Sequence, residues 1–376
     1  MKKVILIPDS FKGTMSSAEI CTVMAQAVQE YYPDAQVHSV PVADGGEGSV
    51  DSFLQAVGGE KVSVPVKGPY FEEVPAFYGM LPDGVAVIEM AAAAGLPLVG
   101  ERLHAEQTTT YGVGELMAHA LERGCKRLVV GLGGSATNDG GCGAAAALGA
   151  VFRNAAGEAF VPVGATLAEV AEIDLSGLHP ALASAELVTM CDIDNPMYGP
   201  TGASYIFGPQ KGADEAMVEE LDAGIKNLSR VIAEAIGEDI SQVPGTGAAG
   251  AMGAGMIAFF GSRLQMGIQT VLDTVNFDEM IKDADYIITG EGKLDSQSLR
   301  GKVVIGIAER AKKQNKNVIA VVGGADDSEI DKAYEMGVTA VFPINRLPQD
   351  FSVSRHHSKE NLGYTVDNIL RLLATK

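Results

Sequence analysis

From Tyr286 onward one pattern recurs three times: a short apolar run, then a longer stretch with apolar residues at helical spacing. The runs are Tyr286–Thr289, Val318–Val322 and Ala340–Ile344; the stretches are Val303–Gln314, Ser328–Met336 and Tyr364–Leu373. Short apolar runs read as strands buried on both faces, and strands that alternate with helices build parallel sheets. The chain opens the same way. Val4–Ile7 is a strand-like run, and Ser16 with Glu19 forms a capping box. Ile20, Val23, Met24, Ala27, Val28 and Tyr31 then follow at helical spacing until Pro33, and a second strand is expected near Gln36–Val42. An isolated β-α-β segment cannot cover its own sheet. The opening is therefore expected to pair with the tail in one discontinuous domain, residues 1–72 plus 275–376.

Between them lies an expected inserted α/β domain, residues 73–274. Its start alternates in polarity, and Pro82-Asp83-Gly84 separates Ala76–Met80 from Val85–Met90 as a hairpin turn. A helix is expected around Val113–Arg123, a strand at Arg127–Gly131, an Ala-rich helix reaching about Val151, a strand at Leu187–Cys191 and a long amphipathic helix within Ala213–Ile236.

Composition limits what such a chain can bind. Its 48 acidic against 28 basic residues leave a net charge of −20, so nucleic acid and anionic membranes are excluded as non-specific partners. With 47% hydrophobic and 20% charged residues it has a sizeable core. No apolar run approaches the roughly 18–20 residues of a spanning helix, and Val4–Ile7 is too short for a signal-peptide core, so a cytoplasmic protein is expected. Cys21, Cys125, Cys142 and Cys191 are scattered, which points to buried thiols rather than a disulfide or zinc framework.

Chemistry is expected in the loops after strands. Gly131-Leu-Gly-Gly-Ser-Ala-Thr-Asn-Asp-Gly-Gly141 lies between a strand and a helix, where glycines and free helix N–H groups can receive a phosphate. The same stretch meets the loose G-x-G-x-x-[GA] pattern of dinucleotide sites, which leaves an oxidoreductase reading open, and no Walker motif occurs. Gly245–Gly250 fits the pattern too but follows Pro244 rather than a strand. Four further loops carry acids: Asp9-Ser-Phe-Lys12, Asp44-Gly-Gly-Glu47, Asp192-Ile-Asp-Asn195 and Glu291-Gly-Lys-Leu-Asp295. Carboxylates in such loops can hold Mg²⁺ or accept a hydroxyl proton. In so acidic a chain Lys12, Lys211, Lys293, Arg300 and Lys302 are the cations to watch. The histidines, including His356 and His357 in a polar late loop, show no ligand spacing.

Taken in order, Asp9–Gly13, Ala43–Gly48, Gly131–Gly141, Asp192–Pro196, Gly208–Ala213, Gly247–Gly250 and Thr289–Gln297 resemble the bacterial type 1 glycerate kinase family nearly end to end. The stretch beyond Pro343 matches least, and Ala251-Met252 stands where the family pattern has Gly-Leu. The resemblance implies two α/β domains, one of them Rossmann-like and built from both chain ends, with the active site in a cleft between them. It also implies ATP-dependent phosphorylation of D-glycerate with Mg²⁺, usually on the 2-hydroxyl; 3-phosphoglycerate is the alternative product. On that footing Gly133, Gly134, Ser135, Thr137 and Asn138 are expected to cradle nucleotide phosphates. Asp44, then Asp192, are candidates for the proton acceptor, and Lys12 for a catalytic cation. Ser10, Lys211 and Arg300 are candidates for substrate contacts, and Asp192, Asp194 and Asp295 for Mg²⁺ ligands. Oligomeric state stays open between monomer and homodimer.

Overall fold

The computed structural model describes residues 1–43, 45–347 and 349–375. The chain divides into two compact units. The smaller comprises Met1–Ala43, Gln55–Val57 and Met266–Lys376; the larger comprises Asp44–Leu54 and Gly58–Gln265.

The smaller unit holds a five-stranded sheet that joins the two chain ends. Its spatial order is Ala340–Pro343, Val318–Val322, Tyr286–Gly290, Lys3–Pro8, Gln36–Ser39, and every pairing is parallel. Numbered along the chain, that order is 2-1-3-4-5, the flavodoxin-like form of the doubly wound sheet. The strand order reverses between Lys3–Pro8 and Tyr286–Gly290, which align Val4 with Tyr286 and Pro8 with Gly290. Val4, Leu6, Ile288 and Val321 bury against Ile20, Met24 and Val28 of helix Ser17–Tyr31 and against Leu362, Val366 and Leu370 of helix Ser358–Ala374. The first helix starts with the expected capping box, in which Ser16 Oγ accepts from the Glu19 amide and Glu19 accepts from the Ser16 amide.

In the larger unit a six-stranded sheet runs Arg263–Gln265, Glu186–Met190, Arg127–Gly131, Val85–Glu89, Glu73–Leu81, Glu60–Lys67. The first four strands are parallel and the last two are added as antiparallel hairpins. The register sets Glu89, Gly131, Met190 and Gln265 in one row at the carboxyl ends of the parallel strands. The turn expected at Pro82–Gly84 is present, with Asp83 and Gly84 at φ 61° and 73°. A separate three-stranded sheet, Val151–Arg153, Ala159–Phe160 and Glu172–Asp174, is not among the elements expected from sequence. Helix Ala248–Phe260 is buried almost throughout, as its lack of charge requires.

Two boundaries differ from expectation. The break expected near residue 72 lies at 43–44, because strands Glu60–Lys67 and Glu73–Leu81 are hydrogen-bonded into the larger unit's sheet. The break expected at 274–275 lies at 265–266. All four cysteines are buried free thiols. No helix among the described residues is long and apolar enough to cross a membrane.

Candidate active site

At the carboxyl edge of the larger sheet, backbones approach too closely for side chains. A Cβ on Gly131 would overlap the Gly45 carbonyl, and one on Gly133 would meet Gly46. The Gly133 amide donates to Gly45 O at 3.1 Å. Those glycines thus hold the loop that follows Ala43 against the one that follows Gly131. Asp44 itself lies outside the described residues. Glu89, from the neighbouring strand end, is 2% exposed and accepts from the Val50 amide at 2.6 Å. It caps helix Ser49–Val57, whose N-cap glycine has no side chain to do so. Burial raises the Glu89 carboxyl above its usual range, against the amide bonds from Val50 and Gly48 that lower it.

The helix start in the Gly131–Gly141 loop is already filled. Asp139, fully buried, accepts from the Thr110 amide (2.7 Å), the Thr110 hydroxyl (2.8 Å), the Gly141 amide (3.1 Å) and the Gly143 amide (3.2 Å). Thr110 Oγ1 in turn accepts from the Ala144 amide, and Gly140 N donates to Gly250 O. Asp139 thus satisfies amides at the start of helix Cys142–Ala147, which follow the five expected cradle residues Gly133, Gly134, Ser135, Thr137 and Asn138 in the chain. Thr137 and Asn138 are fully buried, Ser135 is 7% exposed, and of the five expected cradle residues only Gly133 and Gly134 keep appreciable exposure.

Lys211, expected as a substrate contact, lies inside the larger unit. Instead of reaching out to an anionic substrate, it is 1% exposed and donates to Thr137 O at 2.6 Å. Its ammonium braces the loop backbone from inside. Burial lowers its pKa to about 7, with the Asp139 carboxylate opposing that shift. Beside it Thr137 Oγ1 and Asn138 Oδ1 are buried without partners, while Asn138 Nδ2 reaches Ser204 Oγ at 3.4 Å.

The loop is also held by a left-handed segment, Ala249, Gly250 and Ala251, at φ 53°, 64° and 66°. Ala251 takes a backbone conformation that glycine favours, which fits the glycine of the family pattern at that position. Gly250 lies against Thr137 and Asn138 so tightly that a Cβ would overlap the Thr137 carbonyl. Gly250→Ala is expected to destabilise the larger unit by about 2 kcal/mol through overpacking. Urea unfolding checks this; a midpoint equal to the parent's would remove the packing role.

The smaller unit carries an open cavity of about 580 Å³ at the carboxyl edge of its sheet, at the strand-order reversal. Ser10, Lys12 and Asp295, all named from sequence, line it, together with Asp9, Glu291, Lys293 and Lys302. Arg300 is exposed and outside that lining. Two loops zip together to form the floor: Gly323 N donates to Glu291 O, Leu294 N to Gly324 O, and Asp326 N to Leu294 O. Asp295 Oδ1 accepts from the Gln297 amide at 2.9 Å, and Lys302 Nζ donates to Gln297 Oε1 at 3.0 Å. Glu291 is 6% exposed, and its Oε1 has no partner. Burial, and then Asp9 and Asp295, push its pKa up to about 7, while the Ser298 hydroxyl and Lys302 pull it down. Sequence points to this loop without singling out Glu291, since an acid after a strand carries no mark of its burial.

Among the described residues no group of three or more His, Cys, Asp or Glu is arranged as a metal cage. Asp192 and Asp194 follow strand Glu186–Met190 in the larger unit, and Asp295 lines the cavity of the smaller one.

A model of the glycerate kinase family matches residues 4–374. A glycerate kinase of Bacillus cereus is 43% identical over 369 residues, covering 98% of this chain and 97% of the relative. A glycerate 2-kinase of Escherichia coli is 45% identical over 344 residues, covering 91% and 90%. A crystal structure from Salmonella typhimurium LT2, solved as a candidate glycerate kinase 2, superposes with a TM-score of 0.87 at 40% identity, covering 100% of this chain and 98% of its own. The chain belongs to the glycerate kinase family, a family of kinase enzymes.

Proposed function

We propose that this protein transfers the γ-phosphoryl group of ATP to the 2-hydroxyl of D-glycerate. The observation that carries the reading is the likeness, over nine-tenths of both chains, to the relative called glycerate 2-kinase. The acid-bearing strand-end loops at both sheet edges support it, because such loops suit hydroxyl activation and phosphate handling.

Phosphoryl transfer depends mainly on positioning and on neutralising charge over the transferred group. In this reading Asp44 accepts the hydroxyl proton as the glycerate oxygen bonds to phosphorus and ADP departs, with Asp192 as the second candidate. Ser10 and Lys12 follow the first strand of the smaller unit, where a hydroxyl and a cation can orient an anionic ligand. One or two of Asp192, Asp194 and Asp295 would hold Mg²⁺, which would supply charge neutralisation at the phosphates. Lys211 acts through the loop it braces, and Arg300 has no assigned part.

³¹P NMR of the product from ATP and D-glycerate tests the reaction. A 2-phosphoglycerate resonance is expected; a 3-phosphoglycerate resonance would move the acceptor by one carbon, and no phosphate ester at all would end the kinase reading. Asp44→Asn at saturating substrates is expected to lower turnover by more than about tenfold, or ~1.4 kcal/mol in the barrier. A smaller loss would remove Asp44 as the proton acceptor.

A further inference from the structure

We infer that the nucleotide binds in the smaller unit, in the cavity at the strand-order reversal, and not on the glycine-rich loop of the larger unit. The inference rests on the kinase reading and locates its phosphoryl donor. In open α/β sheets ligands settle outside the carboxyl ends of the strands where the order reverses, and here that is between Lys3–Pro8 and Tyr286–Gly290.

Size and lining agree. At about 580 Å³ the cavity falls within the roughly 300–1,000 Å³ typical of sites for ligands much larger than a three-carbon acid. Lys12, Lys293 and Lys302 offer cations to a polyphosphate, and the phenyl ring of Phe351 offers an apolar face to a base. That ring is 60% exposed although it lies on the cavity wall, so a stacked base would cover it. Glu291, whose Oε1 is buried without a partner, is among the residues of the same cavity's lining. A buried carboxylate oxygen without a partner is costly, and a ribose hydroxyl or a nucleotide-borne cation would satisfy it. On the competing loop Ser135, Thr137 and Asn138 are buried.

Two variants test the assignment. Gly324 lines the cavity, its φ lies outside the left-handed region, and a Cβ there meets nothing within 4 Å. Gly324→Leu should therefore fold and partly fill the cavity. It is expected to raise KM for ATP by at least about tenfold and to leave KM for D-glycerate within about twofold. The chain has no tryptophan, so Phe351→Trp adds a single fluorescent reporter on the wall. ATP or ADP alone is expected to change its emission saturably, and D-glycerate alone is not. The inference is overturned if Gly324→Leu leaves KM for ATP unchanged or raises only that for D-glycerate, or if the tryptophan is silent to nucleotide. Failure of the kinase reading looks different: the parent protein would make no phosphoglycerate, whatever the tryptophan reports.

Discussion

Asp139→Ala is expected to destabilise the larger unit by about 3–5 kcal/mol, because it strips a fully buried acceptor from several buried donors. Four donors lose their acceptor at once: the Thr110 amide and hydroxyl and the amides of Gly141 and Gly143. The Lys211 ammonium, 1% exposed, loses the carboxylate that favours its protonated form. At roughly 2–4 °C per kcal/mol for a unit of this size, the thermal midpoint should fall by about 10 °C. The pH dependence identifies the cause. Lys211 in the folded protein gives up its proton near pH 7, whereas the unfolded side chain keeps it to about 10.5. Between those values the unfolded state binds more protons, so this group makes stability rise with pH. Without Asp139 the folded pKa drops further and the rise begins at lower pH. Adding Lys211→Met to Asp139→Ala should recover part of the loss, because the stranded charge is gone. A single variant within about 1 kcal/mol of the parent would show that Asp139 is not the keystone of this loop.

Asp139 and Lys211 also mark where sequence reasoning stops. Val318–Val322 is found at its expected bounds because a strand buried on both faces is written locally as an unbroken apolar run. Helix Ser358–Ala374 is legible only from Tyr364, since its first turns face solvent apart from Ser358 and Leu362 and show no apolar period. The hairpin Glu60–Leu81 alternates in polarity whichever sheet it joins, so its own residues do not say which unit it belongs to. The glycine-rich loop is legible as a place where backbones come close, but the partner is not. The same glycines that would admit a phosphate instead admit Gly45, Gly46 and the Gly250 segment. A lysine among glycines reads as a surface cation until segments distant in sequence bury it. A cap supplied from afar, by Glu89 to the Val50 amide, and the long-range bonds from Thr110 to Asp139 leave no signature in the local sequence.

Glu291→Gln is expected to move stability and activity in opposite directions. In the folded protein Glu291 keeps its proton up to about pH 7, against 4.5 for the free side chain. Between those values the folded state binds more protons than the unfolded state, so this residue makes stability fall as pH rises. Above pH 7 the deficit is complete. A difference of that size corresponds to at most about 3.5 kcal/mol, at ~1.4 kcal/mol per pH unit. The neutral amide removes it, so the variant's advantage should be near zero below pH 4.5, grow through the window and level off above 7. Thermal unfolding of parent and variant at about pH 5 and about pH 8 reads this directly. Equal advantages at the two values, or none at the higher one, would rule out the buried charge as the source. Activity should decline in the same variant, because an amide cannot offer the cavity the anionic oxygen that the carboxylate does. A residue that weakens the fold at neutral pH and still faces a ligand-sized cavity is what a site tuned for binding rather than for stability contains.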